Sequence, residues 1–207
     1  MNEIFSNYNI ENKRLKEQLF FLIETDKMKN VLRQTVLVDK SRRESDAEHS
    51  WHFALYAMTL FEYCTLENVD LCHVIKLALV HDLVEIYAGD TFAYDVAGNA
   101  DKEVRELEAA DRIFAILPKE QGAQYRLLWD EFEAKNTVEA KYATAIDCFQ
   151  PFVSNSVTEG HTWVQHGVKL HQVYQRMAPV KAYTPQLWKY IEVVIEDALA
   201  RGYIHED

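Results

Sequence analysis

Apolar residues recur along most of this chain at intervals of three and four, the period of a helix with one buried face. Leu15, Leu19, Leu22 and Ile23 set that period over residues 11–32 and predict a first amphipathic helix. The period then lapses in TVLVDKSRRES, which reads as a basic loop. It resumes in HSWHFALYAMTLFEYC, where Ser45 or Asp46 can cap the helix and Glu48 favours its first turn. Asp70 can cap a third helix, LCHVIKLALVHDLVEIYA, stopped by Gly89, and its many apolar residues predict a central position. Residues 89–100 read as a connection, and residues 101–117 as a helix that Pro118 ends while opening another through about residue 134. Thr137 can cap a long helix to Val157 with a kink at Pro151, and two further helices are expected over 162–177 and 185–201.

With only six glycines and four prolines in 207 residues, the pattern predicts an all-α fold of about seven to nine helices. One domain over 1–207 is expected, with its chemistry inside about 32–152 and the helices of 162–201 packed on it. No apolar run is long enough to cross a bilayer, and the polar start lacks the core of a secretory signal, so a cytoplasmic protein without membrane contact is expected. Cys64, Cys72 and Cys148 form no CxxC pair and read as small buried hydrophobes.

The formal charge of −11 argues against a nucleic-acid polymer as partner. Positive charge is nevertheless concentrated in Lys27, Lys29, Arg33, Lys40, Arg42 and Arg43, opposed there only by Asp39. A basic patch on an acidic protein suits a small anion.

The candidate chemistry lies in AEHSWH and HDLVE. His81 and Asp82 follow the apolar run VIKLALV, where a polar pair is costly unless partners or a metal satisfy it. Asp147 repeats the anomaly within ATAIDCF, and Asp111, beside Arg112, reads instead as a surface pair. His49, His81, Asp82 and Asp147 could together give a first-row divalent metal a mixed nitrogen and oxygen shell, with positions left for water and substrate. Such a metal would activate water and polarise a phosphoryl oxygen. Glu85, one turn after His81, could handle the proton, and Arg33, Arg42 or Arg43 could clamp a phosphate.

A histidine, then a His-Asp doublet, then a distant aspartate resembles the signature of the HD-domain superfamily of metal-dependent phosphohydrolases. RRESDAEHSWH, LALVHDLVEIYAGDT and AIDCFQP are similar to the branch holding the bacterial 5′-deoxynucleotidases. The resemblance implies His49, His81, Asp82 and Asp147 as metal ligands, Glu85 as catalytic acid, and Asp90 as the contact to the sugar hydroxyl. It places Arg33 near the phosphate-binding arginine, and implies a homodimer. It further implies one divalent transition metal (Mn, Co, Zn, Fe or Ni) and deoxyribonucleoside monophosphates as substrates. The chain departs from that branch after Arg33, with Gln34-Thr35 where the nucleotidases carry Trp-Pro. Two alternatives stand beside this reading. One is an HD hydrolase of another phosphate ester, such as a cyclic nucleotide, a triphosphate or a phosphonate. The other is a binding module in which the metal is structural.

Overall fold

A computed structural model of the chain describes residues 10–95, 98 and 100–206. Helix α1 (Lys13–Thr25) starts where the Asn12 side chain accepts the Leu15 N–H at 3.1 Å. It stops earlier than the period predicts, tightening into a 3-10 helix over Asp26–Asn30. The expected loop then forms a two-stranded antiparallel hairpin of β1 (Leu32–Val36) and β2 (Arg43–Ser45). Val31, Thr35 and Val36 give that stretch β-branched residues, which favour extended backbone over helix.

Helix α2 (Asp46–Thr59) begins on a capping box: Ser45 Oγ accepts the Glu48 N–H at 3.3 Å, and Glu48 Oε2 accepts the Ser45 N–H at 3.0 Å. This fixes the entry of the chain one turn before His49. Asp70 caps α3 (Leu71–Val80). The helix predicted to run on to Gly89 is broken: backbone bonds tighten to three-residue spacing, as in Leu83 N–H to Val80 O and Glu85 N–H to Asp82 O. A short α4 (Glu85–Ala88) follows, closed by Gly89 at φ 78°. The break falls on the His-Asp doublet.

Helix α5 (Lys102–Phe114) and α6 (Lys119–Ala134) meet at Gly122, where a Cβ would lie 2.2 Å from the Phe114 carbonyl oxygen. Thr137 caps α7 (Val138–Val157), which is buried on nearly all sides from Tyr142 to Gln150 and packs against α2, α3, α6 and α9. It, rather than α3, is the central helix; Leu79 of α3 is half exposed. Pro151 lies inside α7 and cannot donate to the Asp147 carbonyl. The single helix expected over 162–177 is two, α8 (His161–His166) and α9 (Leu170–Tyr183). Gly167 at φ 59° and the Val168 N–H bond to Trp163 O end α8 as a left-handed C-cap does. Helix α10 (Pro185–Ala200) completes the bundle.

Apolar side chains from α7, α9 and α10 form one part of the core around Trp163, Met177 and Ile191. Phe53, Leu77, Tyr142 and Ile146 form another between α2, α3 and α7, directly beneath the histidines. Of the cysteines only Cys148, on α7, is buried; Cys72, in the first turn of α3, is exposed and Cys64, in the connection before it, is partly so. No helix among the described residues is long and apolar enough to cross a membrane.

Candidate metal centre

Three elements bring His49, His81, Asp82 and Asp147 to one place. His49 sits on α2 and is fully buried, His81 and Asp82 form the break after α3, and Asp147 is at the middle of α7. His49 Nε2 is 3.1 Å from Asp147 Oδ1 and 3.9 Å from Asp82 Oδ2. His81 Nε2 is 3.9 Å from the same Asp147 oxygen and 3.0 Å from Asp82 Oδ1. One ligand atom from each of His49, His81 and Asp147 falls within 4.8 Å of the others, a spacing that could hold a metal ion.

The hydrogen bonds behind the imidazoles decide which nitrogen faces the centre. His81 Nδ1 is 2.9 Å from the Ala78 carbonyl, which can only accept, so that nitrogen carries the proton. In the neutral imidazole Nε2 holds the lone pair; it is buried and makes no hydrogen bond, lying 3.0 Å from Asp82 Oδ1. Burial opposes the charge on this ring, but Asp82 and Asp147 raise its pKa. His49 Nδ1 donates at 2.9 Å to Gln150 Oε1, and Gln150 Nε2 donates at 3.0 Å to Glu44 Oε1. Partners of this kind orient histidines for metals. Two imidazoles whose Nε2 atoms face two carboxylates, one of those nitrogens making no hydrogen bond, form a donor set that fits a divalent transition metal.

Around this group lies an unusual density of acid. Burial alone would raise Asp82 and Asp147, yet neighbouring cations and imidazoles hold both well below the usual carboxylate range. Glu85 goes the other way: burial, then the charges of Asp82 and Asp46, push it well above its ordinary value. Asp46 is raised to about 7, chiefly by burial and then by Asp82, and burial also raises Asp90. Asp46, Glu85 and Asp90 form a second group with ligand atoms within 4.8 Å of one another. Arg33 from β1 reaches into this acid with Nη1 2.9 Å from Asp82, 3.5 Å from Asp46 and 4.0 Å from Asp90. Burial opposes its charge, but Asp82, Glu85 and Asp90 hold the guanidinium protonated.

A cavity of about 630 Å³ opens onto the cluster, lined by Arg33, His81, Asp82, Glu85, Asp90 and Asp147 and, beyond them, by Phe92, Tyr94, Trp163 and Arg176. Such a volume suits a small ligand. Arg42 and Arg43 do not line it. Arg42 pairs with Glu48 across the start of α2, and Arg43 ties the hairpin by donating to the carbonyls of Arg33 and Leu32. Asp111 lies apart, on the surface, paired with Arg126.

An HD-domain family model matches residues 25–188, most of the chain. The chain belongs to the HD-domain family. Its fold agrees with that of a protein from Magnetospirillum magnetotacticum described as a predicted metal-dependent phosphohydrolase. The two share 46% identity and a TM-score of 0.86, with 92% of this chain and 95% of that one covered. Over 106 residues the chain is 34% identical to the human 5′-deoxynucleotidase HDDC2, covering 51% of this chain and 50% of the relative. Over 114 residues it is 30% identical to the yeast 5′-deoxynucleotidase YGK1, covering 53% and 51%. The chain thus spans about half the length of the curated relatives it matches.

Within this HD domain, sequence reasoning did not single out Glu44, Gln150 or Arg176, and weighed Asp46 only as a helix cap. Gln150 carried a usable signal, because it is a polar residue three positions after Asp147 in an otherwise apolar stretch. Arg176 carried another, standing between the buried Val173 and Met177 of α9.

Proposed function

We propose that the protein is a metal-dependent phosphohydrolase that removes phosphate from deoxyribonucleoside 5′-monophosphates. The observation that carries this reading is the convergence of His81 Nε2, buried and making no hydrogen bond, with His49 Nε2 and the carboxylates of Asp82 and Asp147. These four residues would hold one divalent ion, with Mn, Co, Zn, Fe and Ni as candidates. When bound, the ion would supply Lewis acidity toward the phosphoryl group and lower the pKa of a water.

The chain's own groups account for the rest. Arg33 stays charged at the cavity wall and would take a phosphate oxygen. Glu85, kept protonated by burial and acidic neighbours, would give its proton to the leaving 5′ oxygen as the P–O bond breaks. The water that forms the new P–O bond surrenders a proton, which restores Glu85. Asp90, half-buried at the cavity wall, would accept from the sugar hydroxyl. Arg42 and Arg43 have no part in this scheme, being spent on Glu48 and the hairpin.

The test is phosphate release from a panel of ribo- and deoxyribonucleoside 5′-monophosphates by protein stripped of metal and resupplied with each ion in turn. Metal-dependent release favouring the deoxy series is expected. Folded, metal-loaded protein that releases no phosphate from any member would overturn the reading. One observation favours a second substrate class: Gln34-Thr35 replace the Trp-Pro of the resembled nucleotidases beside Arg33. Cyclic nucleotides, triphosphates and phosphonates therefore belong in the panel.

A cytoplasmic homodimer completes the proposal. Trp51, Leu55 and Met58 are exposed on one helix, and Tyr190 and Val193 on another, leaving apolar surface that a second copy could cover. Light scattering at twice the chain mass of 24.2 kDa is the expected result.

A further inference from the structure

Helix α9 lies outside the sequence blocks that carry the chemistry, yet it sends one cation to the centre. Val173, Met177 and Val180 are buried against α7 at helical spacing, and Arg176 stands on the flank of that face. Its Nη2 donates to Asp147 Oδ2 at 2.9 Å, and its side chain, 32% exposed, lines the cavity. The two oxygens of Asp147 are therefore unequal. Oδ1 faces His49 Nε2 at 3.1 Å and His81 Nε2 at 3.9 Å, whereas Oδ2 is turned to Arg176.

We propose that Arg176 is a positioning residue of the metal centre, holding the outer oxygen of Asp147 so that this carboxylate offers the ion one oxygen and not two. The inference rests on the proposed metal reading. A carboxylate can bind an ion through one oxygen or both, and a charge-assisted hydrogen bond to one of them decides between the modes. Removing the arginine frees Oδ2 to swing onto the ion. It also leaves a buried carboxylate without the cation beside it, and the loss of partners of this kind weakens metal binding.

The test is cobalt(II) titration of the full chain, stripped of metal, followed by calorimetry and visible absorption, on the wild type, Arg176→Gln and Arg176→Lys. For the wild type, saturable one-site binding that disappears in His81→Ala establishes the centre; no such binding would refute the metal reading itself. With the centre established, Arg176→Gln is expected to bind cobalt about 10- to 100-fold more weakly. Its visible bands are expected to lose intensity as the coordination number rises. Arg176→Lys, which keeps a donor and a charge, should recover part of both. Affinity and spectrum unchanged in both variants would overturn the inference, even if their melting temperatures fall, because a merely structural arginine would move only the latter. If Arg176→Gln does not fold, Arg176→Met, which keeps the length of the side chain but has no donor, takes its place, and affinity and spectrum unchanged in that variant overturn the inference equally.

Discussion

Gln150 accepts the Nδ1 proton of His49 at 2.9 Å, one turn of α7 beyond Asp147, so a single helix supplies both a candidate ligand and the clamp on another. Gln150→Leu removes the acceptor and leaves a buried N–H unpaired, which costs about 1–3 kcal/mol of stability. It also frees the imidazole to turn, and a metal affinity lower by about 10- to 100-fold is expected. Chemical denaturation and calorimetric titration measure the two effects separately.

Glu85 is buried at the cavity wall, and burial together with the charges of Asp82 and Asp46 raises its carboxyl well above the ordinary value. Glu85→Gln should leave metal content unchanged and reduce turnover about 10²- to 10⁴-fold. A raised carboxyl is an acid below its pKa and loses that role as pH rises through it. The wild-type rate should therefore fall on the alkaline side, and the residual rate of the Gln variant should lack that limb. A pH series of kcat on both proteins checks this.

Phe53 is fully buried and packs against both imidazoles, with ring centroids 6.0 Å from His49 and 5.3 Å from His81. Phe53→Ala opens a cavity under the centre and is expected to cost about 3–5 kcal/mol. The midpoint of urea unfolding in the metal-free protein reads this loss without interference from the ion.

Glu48 closes the capping box of α2 and pairs with Arg42, which pulls its carboxyl down to about 2. Glu48→Ala should lose about 1 kcal/mol, most of it from the cap, because the ion pair is exposed and screened. A depressed carboxyl stabilises the fold above its ordinary value of 4.5, and that contribution fades as pH falls toward 2. Thermal unfolding of the two proteins should thus converge in acid.

The parts of this fold that were legible in the sequence are those set by local chemistry. Asp70 and Thr137 cap the helices they were expected to cap, and of the two candidates for α2 it is Ser45, not Asp46, that caps it, since capping is decided within three residues. His81, Asp82 and Asp147 announced themselves as polar residues in apolar runs. The hairpin did not, because its strands are short and the basic turn between them masks their alternation. The break at His81 was equally hidden, since VHDLVE satisfies a helical period whether or not the backbone keeps it. Arg176 could be seen as odd on its helix, but periodicity tells which face is buried and not which partner it meets. That pairing spans 29 residues and depends on how α9 lies on α7.

The dispersal of the centre along the chain also orders its appearance during synthesis. His49 and Asp147 are 98 residues apart, and α7 follows α6. A nascent chain that has emerged only through α6 already carries His49, His81 and Asp82, but lacks Asp147, Gln150 and the central helix that would close the core over them. Until translation carries α7 clear of the ribosome, the chain offers only part of the candidate ligand set, and the set is completed when α7 packs into the core.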